Sequence, residues 1–186
     1  MKTDITLRVT AKLQQDAEQN LKKASSGHIG THFDCMNKEF SLENTERRGV
    51  VFDVSAVSGR DIEKSDIDMS RIEKDEFVIF YSGYVEQEGY GSKKYFTCHP
   101  QVSNELIDAL LEAQVSMIGC DFSGLRNGSE HTACDQRCAD RGVFIVENLC
   151  NLKSLAGQDD LLIHTYPMNF ANWTGLPCRV IAETTD

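Results

Sequence analysis

Short apolar runs alternate with polar segments along this chain, and the pattern predicts more strands than helices. Near-continuous apolar runs within Gly49–Val57 and Glu76–Gly83 are typical of strands buried on both faces. Strict alternation at Asp4–Lys12 predicts a strand with one buried face. Four shorter strands are predicted further along the chain, at Val115–Cys120, Val143–Val146, Leu161–Thr165 and Arg179–Glu183.

Helical spacing is clear in two segments. Asn104–Gln114 has an apolar face and follows Ser103, a typical N-cap residue. His131–Arg141 is the second helix, and Gly142 is typical of a helix end. Strands and helices are interleaved, which indicates an α/β domain with mixed sheets and a few outer helices. The tyrosine-rich segment Tyr84–Tyr95 is expected to be an exposed loop, either a rim or lid over a site or a surface excursion.

The composition is typical of globular proteins, and the charge argues against two classes of binding partner. At 186 residues it is expected to form a single domain, 1–186. The formal net charge of −10, without a long Lys or Arg run, would repel phosphate backbones and anionic lipid, so neither nucleic acid nor membrane is an expected partner. No signal-peptide core or membrane-length apolar run is present, so we expect a cytoplasmic protein. Seven cysteines without a Cys-x-x-Cys pair are expected to be free thiols.

The segment His28–Asp34 concentrates metal-ligand chemistry. Of five histidines in the chain, His28 and His32 fall in these seven residues, together with Asp34. In an extended segment His32 and Asp34 share a face, and Gly30 allows the bend that brings His28 beside them. Two imidazoles and one carboxylate on one side of a divalent ion leave positions open for water and substrate. This set suits a catalytic metal site or the triad of a non-haem iron enzyme, and the simpler alternative is a loop with two solvated histidines.

Three more acidic or basic groups are candidates for the same site. Glu147 directly follows the apolar strand Val143–Val146. A carboxylate buried there must be hydrogen-bonded, paired with a cation or bound to a metal. The equal alternative is that Glu147 lies at the mouth of the strand and reaches water or a nearby Arg. His131 and Asp135 lie four residues apart on the predicted helix and can share its face.

Several motifs together resemble the cyclase family of metal-dependent hydrolases, which includes bacterial kynurenine formamidase and isatin hydrolase. His28–Asp34 is similar to that family's His-x-Gly-Thr-His-x-Asp signature. Three further segments occur in the family's order: Ile118–Asp121, Gly142–Leu149 and Gly175–Arg179. The resemblance spans most of the chain. It implies a swivelling β/β/α fold, and homodimers or homotetramers.

The resemblance also implies the site's composition. It assigns zinc or manganese to His28, His32 and Asp34, and in many members a second ion to Asp34, a later His and a Glu, which here matches Glu147. The metal would activate water for attack on an amide or lactam carbonyl and polarise that carbonyl.

Two positions depart from the family pattern. Where the signature continues Asp-x-Pro-x-His, this chain has Met36 and Lys38, so Lys38 stands where formamidases have a proton-transfer His. Lysine is a poor base at neutral pH unless its surroundings lower its pKa. The later metal-binding His falls on Asp135, with His131 one helical turn away as a substitute. A Glu/Asp/Asp cluster favours Mn²⁺ or Mg²⁺ over Zn²⁺.

These residues predict a metal-dependent hydrolase of a C–N bond in a small amide, formamide or lactam, related to arylformamidases. The metal ligands would be His28, His32 and Asp34, with Glu147 and either His131 or Asp135, and the catalytic groups Lys38 and Glu147. The cofactor would be one or two divalent ions, Zn or Mn. A metal-containing protein that binds a small ligand without catalysis is the alternative, and an iron(II) oxygenase a weaker third. Aromatic side chains at Tyr166, Phe170 and Trp173 are expected to pack in the core, or else to line a pocket for a flat substrate.

Overall fold

One mixed sheet organises the protein. The computed structural model describes residues 1–18, 27–170 and 173–184. Its strands are β1 (Lys2–Asp4), β2 (His32–Asp34), β3 (Glu46–Asp53), β4 (Phe77–Tyr81), β5 (Met117–Cys120), β6 (Phe144–Glu147), β7 (Leu161–Pro167) and β8 (Gly175–Thr184). They lie in the order β1-β8-β2-β6-β5-β4-β3-β7, and β7 also pairs with β8. This last pairing closes seven strands into a barrel, with β1 added at the outside of β8.

The strands β3, β4, β5 and β6 run parallel, whereas β2 pairs antiparallel with both β6 and β8. Parallel neighbours need crossover connections, and these carry most of the helices. The helices are α1 (Ala11–Glu18), α2 (Tyr84–Glu88), α3 (Lys93–Thr97), α4 (Asn104–Glu112) and α5 (His131–Asp140). Short 3₁₀ turns occur at Leu42–Thr45, Lys64–Asp66, Met69–Arg71, Gly128–Glu130 and Leu152–Leu155. No helix in the described ranges is long and apolar enough to span a membrane.

Alternate residues of the parallel strands enter two separate cores. Phe77 and Ile79 of β4 face the barrel interior, while Val78 and Phe80 face the side covered by α4 and α5. This division explains why β4 is apolar at every position: both of its faces are buried. On β6, Val146 enters the barrel interior and Ile145 the helix side. Glu147, two residues after Ile145, therefore lies on the helix side.

The predicted α/β class, with a mixed sheet and a few outer helices, is confirmed, as are the free thiols of all seven cysteines. The side chain of Ser103 caps α4 by accepting a hydrogen bond from the Leu106 N–H. Gly142 follows α5 with a φ of 74°, as a helix-ending glycine should.

Two local predictions are wrong. The segment Asp4–Lys12 does not form one strand: β1 ends at Asp4, and a helix begins at Ala11. The segment Tyr84–Tyr95 is not an exposed loop, because α2 and the start of α3 bury Tyr84 and Tyr95. Their rings stack with centroids 5.6 Å apart, and both hydroxyls donate hydrogen bonds, so aromatic packing has overridden a loop-like composition.

Candidate metal centre

Two neighbouring strands bring the predicted ligands together. In the antiparallel pairing of β2 with β6, His32 lies directly opposite Glu147, and Asp34 opposite Ile145. His32, Asp34 and Glu147 therefore share the helix-covered face of the barrel, and each is almost fully buried. Sequence spacing placed His32 beside Asp34, but the strand register is what adds Glu147.

A glycine on each side brings His28 into the same group. Gly30 has a φ of 65°, and this left-handed turn folds the chain before β2 back towards Asp34. Gly175 on β8 pairs with Asp34 and has no side chain, so the His28 ring occupies the space above it. Nε2 of His28 lies 3.0 Å from Oδ1 of Asp34, and Nε2 of His32 lies 3.8 Å from the same oxygen. One ligand atom from each of these three residues lies within 4.8 Å of the others.

Helix α5 provides a second group on the other side of Glu147. His131 is the first residue of α5 and Asp135 lies one turn later, with 3.3 Å between Nε2 and Oδ2. Nε2 of His131 is also 3.6 Å from Oε1 of Glu147, while Oε2 of Glu147 is 3.6 Å from Nε2 of His32. Glu147 thus lies between the two groups. The structure places His131 beside Glu147 and Asp135 beside His131.

Backbone carbonyls orient two of the imidazoles in the same way. Nδ1 of His32 lies 2.9 Å from the Gly30 carbonyl, and Nδ1 of His131 lies 3.0 Å from the Arg126 carbonyl. A carbonyl only accepts hydrogen bonds, so each Nδ1 carries a hydrogen and each ring turns its Nε2 towards the carboxylates. This is the arrangement of metal-ligating histidines, whose other nitrogen is held by a carbonyl or carboxylate.

The carboxylates experience opposing electrostatic effects. Burial acts to raise the pKa of Asp34, but the hydrogen bond from His28 and the charges of His32, His28 and His131 hold it below its usual value. Burial, followed by the negative charge of Asp34, raises the pKa of Asp135 well above its usual range. Two buried acids this close favour a cation between or beside them, because a cation offsets both burial and mutual repulsion.

The donor set fits a divalent ion. Within the described ranges, Oδ2 of Asp34 and Oδ1 of Asp135 are buried and accept no hydrogen bond. Buried carboxylate oxygens without donors are costly, and coordination to a metal would satisfy them. Imidazole nitrogens and carboxylate oxygens together suit zinc or manganese.

Lys38 lies outside this cluster. Its Nζ is 2.8 Å from Oδ1 of Asp140 at the far end of α5, and both side chains are partly exposed. Lys38 does line a cavity of about 1020 Å³ whose wall also includes Cys35, but Cys35 packs in the barrel-interior core, whereas the Asp34 side chain lies on the helix-covered face. Tyr166, Phe170 and Trp173 line the same cavity, as the pocket-lining alternative expected, and Trp173 also packs against the barrel-interior core.

Sequence reasoning missed several residues that shape the centre. Gly124 packs against the other side of the site: a Cβ there would lie 3.0 Å from Oε1 of Glu147 and even closer to the His131 ring. The Tyr90 hydroxyl accepts a hydrogen bond from the Gly30 N–H at 2.9 Å, within the segment expected to be a loop or lid. Asn148, the residue after Glu147, is 1% exposed and bonds to the Gly30 carbonyl. A turn-forming glycine and a buried amide leave no periodic signal, and only the Gly142–Leu149 motif, which contains Asn148, pointed towards one of these positions.

Solved structures share this fold. Isatin hydrolase A from Labrenzia aggregata bound to benzyl benzoate is 21% identical, with a TM-score of 0.73, and the match covers 86% of this chain and 74% of that one. A structure described as a potential metal-dependent hydrolase with cyclase activity is 19% identical, with a TM-score of 0.75 and coverage of 98% and 96%. A predicted metal-dependent hydrolase from Bacillus stearothermophilus is 18% identical, with a TM-score of 0.73 and coverage of 98% and 97%. At these identities the likeness is one of fold.

Comparison of the sequence with family models identifies the family of the chain. A search of curated proteins gives no match. The sequence model of the Cyclase family, described as "Putative cyclase", matches residues 3–125 of the 186, a range that contains His28, His32 and Asp34. The chain therefore belongs to the Cyclase family.

Proposed function

We propose that this protein is a metal-dependent hydrolase that cleaves a C–N bond in a small amide, formamide or lactam. The observation that carries the proposal is the convergence of His28, His32 and Asp34 on one point, with Glu147 directly beside them. Family membership and the hydrolases among the structural neighbours support the reaction class.

Each side chain has a role in this proposal. His28, His32 and Asp34 would hold one ion, and Glu147 with His131 and Asp135 would hold or flank a second. A divalent ion supplies an activated water and a Lewis acid for a carbonyl oxygen. Glu147 is buried between the two groups, so its Oε1 or Oε2 can take a proton from the attacking water and return it to the leaving nitrogen.

A cavity near the site is lined by Cys35 and Lys38, on the barrel-interior side of the chain, and its lining does not include the proposed metal ligands. The cavity is large enough for a drug-sized molecule, and Phe170 and Trp173 stack at its wall with ring centroids 4.2 Å apart. Lys38 lines the same cavity and is proposed as the proton-transfer group where formamidases have histidine. Its ion pair with Asp140 would have to open for that role. A homodimer or homotetramer in the cytoplasm remains our expectation.

The test is turnover with defined metal content. Metal-free protein would be loaded with Mn²⁺ or Zn²⁺ and screened against aryl formamides, lactams and lactones. His32→Ala should abolish both turnover and metal binding at the first position. His164→Ala is the matched control, because His164 is also a largely buried histidine but contacts only Glu46 and Glu183 among the described ion pairs.

The number of metal ions bound per chain distinguishes a one-ion site from a two-ion site. Two metal equivalents per chain, with the second lost in Asp135→Asn, would support the two-position site. If the metal-loaded protein is stabilised by small amides but turns over none, the protein is a ligand-binding member of the family instead. Turnover that requires Fe²⁺ and O₂ would contradict hydrolysis altogether.

A further inference from the structure

Asn148 is fully engaged in hydrogen bonds at the centre of the site. It is 1% exposed, and its φ of 59° is a left-handed conformation that Asn adopts more readily than most residues. Its N–H donates to the Phe122 carbonyl at 3.1 Å, and its own carbonyl accepts from the Thr31 hydroxyl at 2.7 Å. Its side-chain Nδ2 donates to the Gly30 carbonyl at 3.0 Å, and Oδ1 accepts from the Tyr95 hydroxyl at 2.9 Å.

The Gly30 carbonyl connects this residue with a metal-ligating histidine. The same oxygen accepts from Nδ1–H of His32 at 2.9 Å and from Nδ2–H of Asn148 at 3.0 Å. Because a carbonyl cannot donate, the amide must present its nitrogen here, which leaves its oxygen facing the Tyr95 hydroxyl. The orientation of the amide therefore follows from its two neighbours.

We infer that Asn148 is a positioning residue for the metal centre and acts through the Gly30 carbonyl. Its hydrogen bond holds that carbonyl where it accepts the Nδ1–H of His32, so that Nε2 of His32 faces Asp34 and Glu147. Because Asn148 also follows Glu147 directly in the chain, one residue couples the carboxylate from β6 to the imidazole from β2. The inference deepens the proposed function and rests on it for the identity of the bound ion.

The substitution Asn148→Asp tests this coupling. Aspartate has the same shape and also tolerates the left-handed conformation, but its carboxylate would place an acceptor against the Gly30 carbonyl. We expect affinity for Mn²⁺ or Zn²⁺ to fall about 10- to 100-fold, the usual effect of losing a partner that orients a metal ligand. The matched control is Asn151→Asp, because Asn151 has a φ of 57° and donates from Nδ2 to the Asp4 carbonyl, but at the surface. Its affinity should equal that of wild type.

A second measurement needs no bound metal. ¹⁵N-labelled histidine spectra of the metal-free wild-type protein show which ring nitrogens of His32 carry hydrogen, and Nδ1 should carry one whether the ring is neutral or charged. In Asn148→Asp the Nδ1 hydrogen should lose its hydrogen-bonded signal, while Asn151→Asp should keep it. These spectra report on the coupling even if no ion binds, so a failure of the proposed function would be seen separately.

The possible results are decisive in either direction. Weaker metal binding together with an altered His32 ring in Asn148→Asp supports the positioning role. A wild-type His32 with hydrogen on Nε2 alone would overturn it, and this holds even if the variant does not fold. Wild-type metal affinity in Asn148→Asp, or an affinity loss with an unchanged His32 ring, would overturn it as well.

Discussion

Replacing Gly175 with alanine should displace His28, one of the proposed metal ligands, and leave the fold intact. Gly175 begins β8 beside Asp34, and its φ lies outside the left-handed region, so alanine can adopt the backbone conformation. An added Cβ would lie 2.9 Å from Cε1 and Nε2 of the His28 ring and 3.0 Å from Cδ2. The three nearest atoms thus belong to one side chain, and that side chain is 26% exposed and able to move.

The expected magnitude follows from these distances. Non-bonded carbon atoms prefer about 3.5–4.0 Å, so the ring must retreat by about 0.6 Å or more. Metal–ligand distances tolerate only about 0.2 Å, so His28 would leave the coordination shell. Metal affinity should therefore fall by at least the roughly 10- to 100-fold that loss of a ligand-orienting partner causes. The free energy of unfolding should change by less than about 1 kcal/mol, because the ring turns towards solvent and alanine restricts the unfolded chain.

Two measurements on each variant separate these effects: calorimetric titration of metal-free protein with Mn²⁺ or Zn²⁺, and urea unfolding. Gly49→Ala is the matched control, because its Cβ would lie 2.5 Å from Cγ1 of Ile163 and 3.1 Å from the Phe77 carbonyl oxygen. Overpacking of this kind costs about 1–3 kcal/mol, so Gly49→Ala should lose stability and keep its metal affinity.

A double variant tests the cause. If Gly175→Ala acts by moving His28, it should have no further effect on metal affinity in a His28→Ala background. Wild-type affinity in Gly175→Ala would refute the reasoning, and so would full additivity of the two substitutions.

Three further predictions concern the surroundings of the site. Burial raises the pKa of Asp121 to about 6 from 3.8, so its contribution to stability is fully present below about pH 3.8 and lost as pH rises to about 6. The unfolding free energy of wild type relative to Asp121→Asn should fall by about 2 kcal/mol between pH 4 and pH 7 in urea titrations, and a constant difference would contradict this. Tyr95→Phe should lower the free energy of unfolding, measured in urea, by about 1–3 kcal/mol, because Oδ1 of buried Asn148 loses its hydrogen-bond donor. An unchanged urea midpoint would argue against that hydrogen bond. Asp140→Asn should leave both urea unfolding and metal titration unchanged, since its pair with Lys38 is exposed; weaker metal binding would be evidence against placing Lys38 outside the centre.

The hydrophobic and polar pattern predicted secondary structure correctly where an element depends mainly on residues close to it in the chain. The apolar run of β4, the Ser103 cap of α4 and the glycine after α5 were all predicted, because each depends on residues close in the chain. Prediction failed at Asp4–Lys12, where the alternation is real but pairing with β8 extends only from Lys2 to Asp4. It failed again at Tyr84–Tyr95, because the rings gain more from packing on one another than the glycines favour a loop.

The residues of the candidate site also fall into those that the sequence predicted and those that only the tertiary structure brought together. The sequence by itself determined that His28, His32 and Asp34 form one group, because an extended segment and one flexible glycine suffice to bring them together. It also placed His131 and Asp135 on one helical face. Only the tertiary structure decided that Glu147 lies between these groups, since that depends on the register of β2 against β6. The same holds for the contacts of Asn148 with Gly30, of Gly124 with Glu147 and of Gly175 with His28. Each joins segments more than twenty residues apart, a relation that no local periodicity encodes.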